Sequence, residues 1–214
     1  RSTFDVSITS FDLSSDGKTI IASVQGESGN QWLAKFLLQD GSSIILDGKT
    51  NAQDFLVDAP FSPRIAPNGK TALVLNSGGL SDGVLDDVLV VDLIENTVIE
   101  RIAQVSDGLE SIAIHPSGEF AVIACLNAMP WSVTSHLAVI SLTSDSAELL
   151  YSIPIEALPE GIEFSNNGKQ LFVGSTLANH ISVYSVNGMM LERSPFVLPV
   201  GEGHAALGIA FGTY

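Results

Sequence analysis

The stretch ESIAIHPSGEFAVIA, residues 110–124, decides the fold, because the chain repeats its pattern three more times. Each copy has a short apolar run, a polar turn that contains a glycine, and a second apolar run. The other copies are SFDLSSDGKTIIASV at 10–24, FSPRIAPNGKTALVL at 61–75 and EGIEFSNNGKQLFVG at 160–174. The turn glycines Gly17, Gly69, Gly118 and Gly168 follow one another at intervals of 52, 49 and 50 residues. Such a period predicts an array of equivalent units that must stack on one another to bury their apolar faces.

Each repeat divides into four predicted strands, named A to D from the inner side of the unit outward. In the third repeat they cover residues 111–115, 120–125, 136–142 and 148–153. The Asp-Gly, Asn-Gly or Ser-Gly pair between strands A and B predicts a tight hairpin, because glycine tolerates a positive φ. Strands B and C are apolar almost throughout, which indicates a sheet covered on both faces. Four-stranded antiparallel units at this interval predict an all-β fold of the β-propeller class, without a long helix.

The predicted domain is a single β-propeller segment that covers residues 1–214. An extra inner strand, HAALGIAF, follows the fourth four-stranded blade and would begin a fifth blade. The predicted blades cover about 5–55, 56–106, 107–156 and 157–203, and the extra strand covers 204–211. An incomplete ring would expose the apolar flanks of its terminal blades. We therefore expect the four blades to be part of a larger ring.

The composition excludes some functions. Nine Lys and Arg against 24 Asp and Glu give a net charge of −15, which argues against nucleic acid and against an anionic membrane surface. The acidity fits simple solubility, and it also fits a cation site or a basic partner. The longest uncharged run, 120–144, contains several polar residues and Pro130, so no membrane span is predicted. Cys125 is the only cysteine and lies in an apolar run, which predicts a buried, unreactive thiol.

The turn and strand patterns resemble those of the YVTN-repeat propellers, a group that overlaps with the lactonase-type propellers. The matching segments are APNGK at 66–70, HPSG at 115–118 and LVVDL at 89–93. The Tyr-Val-Thr-Asn tetrapeptide itself is replaced by LVLN at 73–76, VIAC at 122–125 and FVGS at 172–175. The resemblance implies about seven blades, with the ring completed by a second polypeptide or a missing segment. It also implies a periplasmic or secreted protein, although a cytoplasmic one stays open.

Two glutamates are the first candidates for a functional site. Glu110 and Glu160 each precede the turn glycine of their repeat by eight residues, at the entry of an inner strand. His204 lies just before the predicted fifth inner strand. Ligands of propellers usually bind at the mouth of the central channel, where these entries converge. The three side chains are predicted to bind a ligand, either as ligands of a metal ion or as acid and base. The alternative is that they are solvated loop residues.

Two histidines and a tryptophan form a second set of candidate ligand-binding residues. His136 and His180 each begin a C strand after a long loop, so they are predicted to face the same side. Trp131 lies in the apolar loop LNAMPWSVTS at 126–135. That loop is suited to contact a ligand or partner, or to pack on an adjacent blade.

The acidic loop NSGGLSDGVLDD, residues 76–87, is the candidate metal site. Asp82, Asp86 and Asp87 are suited to Ca²⁺ or another divalent cation, which prefers carboxylate and carbonyl oxygens. The alternative is an acidic surface loop without a ligand.

Two classes of function follow from the sequence. The first is a scaffold that binds a partner protein or a small ligand through its channel-mouth loops. The second is a lactonase-like or cyclase-like enzyme that acts on a small lactone or carboxylate substrate, with or without a metal. Because the sequence contains no recognisable catalytic constellation, it favours the scaffold.

Overall fold

The described part of the chain is built from strands alone. The computed structural model describes residues 6–39, 43–51, 59–77, 82–126, 128–129, 132–133, 135–143, 146–155, 158–176 and 178–201, and no helix occurs in these ranges. The chain divides into two compact units, which we call unit 1 (residues 1–78 and 86–103) and unit 2 (residues 79–85 and 104–214).

Four sheets of four antiparallel strands make up this fold, and in each sheet the strands follow one another in chain order. Sheet 1, in unit 1, comprises β1 (Val6–Leu13), β2 (Thr19–Gly26), β3 (Gln31–Gln39) and β4 (Ser43–Asn51). Sheet 2 comprises β5 (Pro60–Ile65), β6 (Thr71–Asn76), β7 (Asp86–Asp92) and β8 (Thr97–Ser106).

Sheets 3 and 4 lie in unit 2. Sheet 3 comprises β9 (Leu109–Ile114) and β10 (Phe120–Cys125), then β13 (His136–Thr143) and β14 (Ser146–Pro154). Between them β11 (Ala128–Met129) and β12 (Ser132–Val133) form a two-stranded hairpin. Sheet 4 comprises β15 (Pro159–Phe164), β16 (Gln170–Ser175), β17 (His180–Asn187) and β18 (Met190–Pro199). The all-β fold with four-stranded repeats is therefore confirmed, whereas the predicted strand 204–211 lies outside the described residues.

The predicted hairpin turns are present in all four sheets. The four turn glycines have φ angles of 70°, 66°, 75° and 69°, in the left-handed region that glycine occupies without strain. Each donates its N–H to a carbonyl three residues earlier, for example from Gly118 to His115 at 2.8 Å. A tight turn of this kind sets the register between the first and second strands of each sheet.

Three of the four inner strands carry a β-bulge at the same position. In β9, Leu109 pairs with Cys125 and Ser111 with Ala124, so Glu110 has no partner in the ladder. The same shift leaves Glu160 unpaired in β15 and Thr9 unpaired in β1. The bulge in β5 is displaced by a residue or more and falls between Phe61 and Arg64. A bulge bends its strand and re-aims the side chain of the extra residue.

The core of unit 2 lies between sheets 3 and 4. Ala113, Val122 and Leu137 of sheet 3 are fully or almost fully buried in one cluster with Ile162 and Phe164 of sheet 4. Cys125 is also completely buried, as predicted. In unit 1 a separate cluster joins the two sheets and contains Ile21, Leu33, Val74 and Leu89. Burial of these apolar faces is the main stabilising contribution to each unit.

Polar contacts fix sheet 3 to sheet 4 at two places. His115, which follows β9, stacks on Phe120 with ring centroids 4.5 Å apart and meets Phe164 edge-on at 5.1 Å. Its Nδ1 accepts a hydrogen bond from the Ser117 N–H at 3.1 Å, so Nε2 carries the proton that it donates to the Gly168 carbonyl at 3.1 Å. On the outer side, the Tyr151 hydroxyl donates to the Met189 carbonyl at 2.7 Å. The two sheets are thus connected near both their inner and outer strands.

Candidate functional site

The structure brings the two predicted glutamates together. Strands β9 and β15 lie side by side in unit 2, and Glu110 and Glu160 are each the second residue of their strand. Both occupy the bulged position, so neither side chain follows the ordinary alternation of the ladder. Gly108, two residues before Glu110, has a φ of 78°, in the left-handed region that glycine occupies without strain, and Gly161 directly follows Glu160. Equivalent places in two adjacent repeats therefore present two carboxyl groups at one edge, which we call the acidic edge.

The electrostatics of the acidic edge favour a proton on Glu110. Its side chain is about half-buried, and burial raises the pKa of the Glu110 carboxyl, because a charge is poorly solvated there. Repulsion from the Glu160 carboxylate raises the same pKa further. A carboxyl whose pKa is raised beside a second carboxyl is suited to paired acid and base chemistry.

Sequence reasoning missed a third acidic residue near this edge. Asp107 precedes β9 by two residues, and only 4% of it is exposed. Its Oδ2 accepts a hydrogen bond from the Gly83 N–H at 2.9 Å, while its Oδ1 is buried and has no hydrogen-bond partner among the described residues. The Asp-Gly pair before an inner strand was a usable turn signal, but the burial of Asp107 depends on packing that no local pattern reveals.

Two hydroxyl oxygens at the same strand entries are also buried without a hydrogen-bond partner in the described structure. One belongs to Ser111, the residue after Glu110, and the other to Thr176. The Thr176 N–H bonds to the Leu158 carbonyl, which places Thr176 beside the start of β15. Buried polar atoms are normally paired, so three such atoms around two strand entries mark this edge as different from the other described parts of unit 2.

The predicted histidines occupy equivalent positions in their sheets. His136 is the first residue of β13 and lies opposite Cys125 and Pro154, while His180 begins β17 opposite Ser175 and Pro199.

The ring of His180 is held by its own strand and the loop before it. Nδ1 lies 2.8 Å from the Ala178 carbonyl and donates to it, and Nε2 accepts from the Ser182 hydroxyl at 3.3 Å. A ligand-binding role for either histidine stays a prediction.

The three aspartates of the predicted calcium site each have local partners. The Asp82 carboxylate accepts the Val84 N–H at 2.8 Å and is exposed. Asp86 is buried and accepts a hydrogen bond from the Ser77 hydroxyl at 2.9 Å. Asp87 forms an ion pair with Arg101.

No metal-binding arrangement stands out in the described ranges. Among those residues, no three His, Cys, Asp or Glu side chains are grouped in a way that could hold a metal ion. The calcium site at Asp82, Asp86 and Asp87 therefore stays a prediction. Trp131 and His204, the remaining predicted site residues, lie outside the described residues. None of the described elements is a helix that could cross a membrane.

The fold is that of several solved lactonase structures. A candidate 6-phosphogluconolactonase from Bacteroides uniformis superposes with a TM-score of 0.69 at 20% identity over 92% of this chain. A second one, from Bacteroides fragilis, gives 0.68 at 14% identity over 95% of the chain. The periplasmic gluconolactonase of Pseudomonas aeruginosa gives 0.68 at 13% identity over 90%. These identities are low, so the likeness shows the fold alone, and that fold is a β-propeller.

The three structures belong to longer chains than this one. This chain covers 57% of the length of each of them. No protein-family model matches the sequence, and no curated protein sequence matches it either.

Proposed function

We propose that this chain is part of a lactonase-type propeller enzyme that hydrolyses a neutral sugar lactone at the acidic edge of unit 2. The observation that carries the proposal is the pairing of Glu110 and Glu160 on matching bulges, with the raised pKa of Glu110. The likeness to structures described as lactonases supports the same reaction class. A periplasmic or secreted location belongs to the proposal, because one of these structures is described as periplasmic.

The two carboxyl groups divide the chemistry between them. Glu160, as the carboxylate, accepts a proton from a water molecule while the water oxygen attacks the lactone carbonyl carbon. Glu110, in its protonated form, donates its proton to the ring oxygen as the carbon–oxygen bond of the ring breaks. The product is a hydroxy acid, and a proton moves from Glu160 back to Glu110 through solvent before the next cycle. General acid and base groups of this kind contribute about 10² to 10⁴ in rate.

The charge distribution supports a substrate without a phosphate group. Unit 2 contains eleven Asp and Glu but only two basic residues, Lys169 and Arg193. Lys169 follows the turn at the end of β15 away from Glu160, and Arg193 is exposed on the outer strand β18. A phosphate group at the acidic edge would therefore lie near carboxylates and near no cation of unit 2. The carboxylates would repel it. A neutral polyhydroxylated lactone has no such penalty.

The test is a titration of the acid that the protein releases from D-gluconolactone, with 6-phosphogluconolactone as the comparison. We expect Glu110→Gln and Glu160→Gln to lower kcat by about 10² or more, and we expect Glu192→Gln, on the exposed outer strand, to leave it unchanged. In the wild type, kcat should fall as the pH rises through the pKa of Glu110, above the usual value for a glutamic acid. In the Glu160→Gln variant the remaining fall in kcat should occur at lower pH, because the substitution removes the repulsion that raises the pKa of Glu110.

Three results would count against the proposal. Equal rates in wild type and both glutamine variants would reduce the acidic edge to a binding surface and return the chain to the scaffold class. A preference for the phosphorylated lactone would refute the neutral substrate and leave the reaction class standing. Absence of turnover with either lactone, in protein that contains the rest of the ring, would refute the lactonase itself.

A further inference from the structure

Asparagine-glycine pairs occur at three hairpin turns of this chain. They are Asn68-Gly69 after β5, Asn167-Gly168 after β15 and Asn187-Gly188 at the end of β17. Asparagine is a chemically labile residue. A following glycine increases this lability, because a residue without a Cβ lets its backbone nitrogen approach the side-chain carbonyl carbon of the asparagine. Since all three pairs have the same two residues, a difference in reactivity between them must come from the surrounding structure.

Asn68 is held by the turn to which it belongs. Its Oδ1 accepts hydrogen bonds from the Lys70 N–H at 2.8 Å and from the Thr71 N–H at 3.1 Å. The Gly69 nitrogen is the group that would attack the side chain, and its N–H donates to the Ala66 carbonyl at 2.9 Å. Both reacting groups of this pair are therefore engaged in other contacts.

Asn167 is held in the same way in sheet 4. Its Oδ1 accepts hydrogen bonds from the Lys169 N–H at 3.0 Å and from the Ser165 hydroxyl at 2.9 Å. The Gly168 N–H donates to the Ser165 carbonyl at 2.8 Å, and Gly168 is buried. Local bonds of this kind fix a side chain to the backbone of its own turn, so they must break before this pair can react.

Asn187 differs from both of the other asparagines. It is exposed, and so is Gly188. In the described part of the chain, neither the Asn187 side chain nor the Gly188 N–H has a hydrogen-bond partner. Asn187 is the last residue of β17 and pairs with Met190, so a rotation of its backbone opens only the terminal pair of the ladder. The side chain and the neighbouring nitrogen are thus available to react with each other.

We propose that Asn187 is the site at which this protein deamidates spontaneously, and that the product loosens the outer connection between sheets 3 and 4. The Gly188 backbone nitrogen loses its proton and bonds to the side-chain carbonyl carbon of Asn187. The bond from that carbon to the amide nitrogen breaks, and ammonia leaves with the proton. Water then opens the five-membered imide at either carbonyl and gives aspartate or isoaspartate. The net reaction consumes one water molecule, and it does not depend on the proposed lactonase activity.

The effect on the sheets follows from the position of the pair. Gly188 and Met189 form the two-residue turn between β17 and β18. The Tyr151 hydroxyl of sheet 3 donates to the Met189 carbonyl and accepts the Leu191 N–H. Isoaspartate adds one methylene group to the backbone directly before this turn. Because the length of a hairpin loop fixes the register of its strands, the added group displaces the atoms that Tyr151 binds.

The test follows the wild-type chain during incubation at mildly alkaline pH, with peptide mass spectrometry to measure the conversion of each asparagine. We expect Asn187 to deamidate at least about tenfold faster than Asn68 and Asn167, because each of those must first lose two or more hydrogen bonds. In urea, where the turns are unfolded, the three rates should become similar.

Two variants serve as matched controls. Asn187→Gln should remove the fast release of ammonia from the folded protein, because the longer glutamine side chain forms a cyclic imide only slowly, whereas Asn68→Gln should leave that release unchanged. Incubated wild-type protein should unfold at a lower urea concentration than fresh protein, and incubated Asn187→Gln should unfold at the same concentration as its fresh sample.

Three results would overturn the proposal. A rate at Asn187 no higher than at Asn68 or Asn167 in the folded protein would mean that the structure does not single out this pair. The same order and ratio of rates in urea would assign the difference to sequence instead of structure. Conversion of Asn187 without a change in the unfolding of the protein would refute the loosening of the two sheets.

Discussion

Replacement of Gly168 by Ala should weaken unit 2 far more than an ordinary turn substitution does. Gly168 has a φ of +69°, and a Cβ atom built there would lie 2.3 Å from the His115 Nε2. The imidazole has little freedom to move away, because it stacks on Phe120, meets Phe164 edge-on and accepts the Ser117 N–H. The added methyl group must therefore displace a ring that is held on several sides.

The magnitude follows from the contacts that are lost. The left-handed backbone costs an alanine about 1–2 kcal/mol relative to glycine. Displacement of His115 also removes its hydrogen bond to the Gly168 carbonyl, which contributes about 1 kcal/mol, and its aromatic contacts, which contribute about 0.5–1.5 kcal/mol. We expect Gly168→Ala to lower the free energy of unfolding by about 3 kcal/mol or more.

The assay is urea unfolding followed by far-ultraviolet circular dichroism, with Gly188→Ala as the control. Gly188 also lies in a turn of unit 2, with a φ of +59°, but a Cβ atom there would meet nothing within 4 Å. Its replacement should therefore cost only the backbone contribution, about 1–2 kcal/mol. In the background of His115→Ala, the cost of Gly168→Ala should fall to that of the control.

The comparison can refute the reasoning. Equal losses for Gly168→Ala and Gly188→Ala would mean that the imidazole moves aside at no cost. An undiminished loss for Gly168→Ala in the His115→Ala background would mean that the strain lies in the turn alone.

Two further predictions concern the same unit. Because the folded-state pKa of Glu110 is raised, its ionisation destabilises the folded protein; this cost is absent below the unfolded pKa and develops as the pH rises through the folded pKa. Glu110→Gln should therefore raise the free energy of unfolding at pH 7 and change it little near pH 4, which urea unfolding at both values would show; a loss at pH 7 would contradict it. Tyr151→Phe should cost about 1–3 kcal/mol, because it leaves the Met189 carbonyl and the Leu191 N–H without the hydroxyl that pairs both. Phe120→Leu is the control background in the same unfolding assay, because it leaves the Tyr151 hydroxyl in place. Tyr151→Phe should lower the free energy of unfolding by the same amount in the wild type and in the Phe120→Leu variant. A smaller loss in the Phe120→Leu variant would show that the contacts of Tyr151 and Phe120 are coupled.

The repeat made most of the fold predictable from sequence. Strand β10 was predicted at its observed bounds, because six consecutive apolar residues after the turn are typical of a strand that is covered on both faces. Strand β9 begins two residues earlier than predicted, because pairing resumes at Leu109 beyond the bulge. Bulges arise from the match between two strands, and a single strand pattern does not contain that information.

The candidate site was predictable only in part. The matching positions of Glu110 and Glu160 in their repeats were visible, and the structure places them close enough to affect each other. The buried state of Asp107 and the contact of His115 with Gly168 were not visible, since both depend on residues distant in sequence. His115 in particular was placed at the end of an inner strand and in the HPSG segment, with no contact predicted for its ring, although that ring joins two sheets.

The repeated bulge separates the residues that maintain the sheet from a residue that is available for a binding or catalytic site. Because Thr9, Glu110 and Glu160 make no ladder pairs, their identities are free to change without altering strand register or core packing. Three of the four repeats thus offer one variable position at the same place in their inner strand. Evolution or a protein engineer can rewrite the chemistry of such an edge one repeat at a time, by exchanging single residues, while the architecture that displays them stays intact.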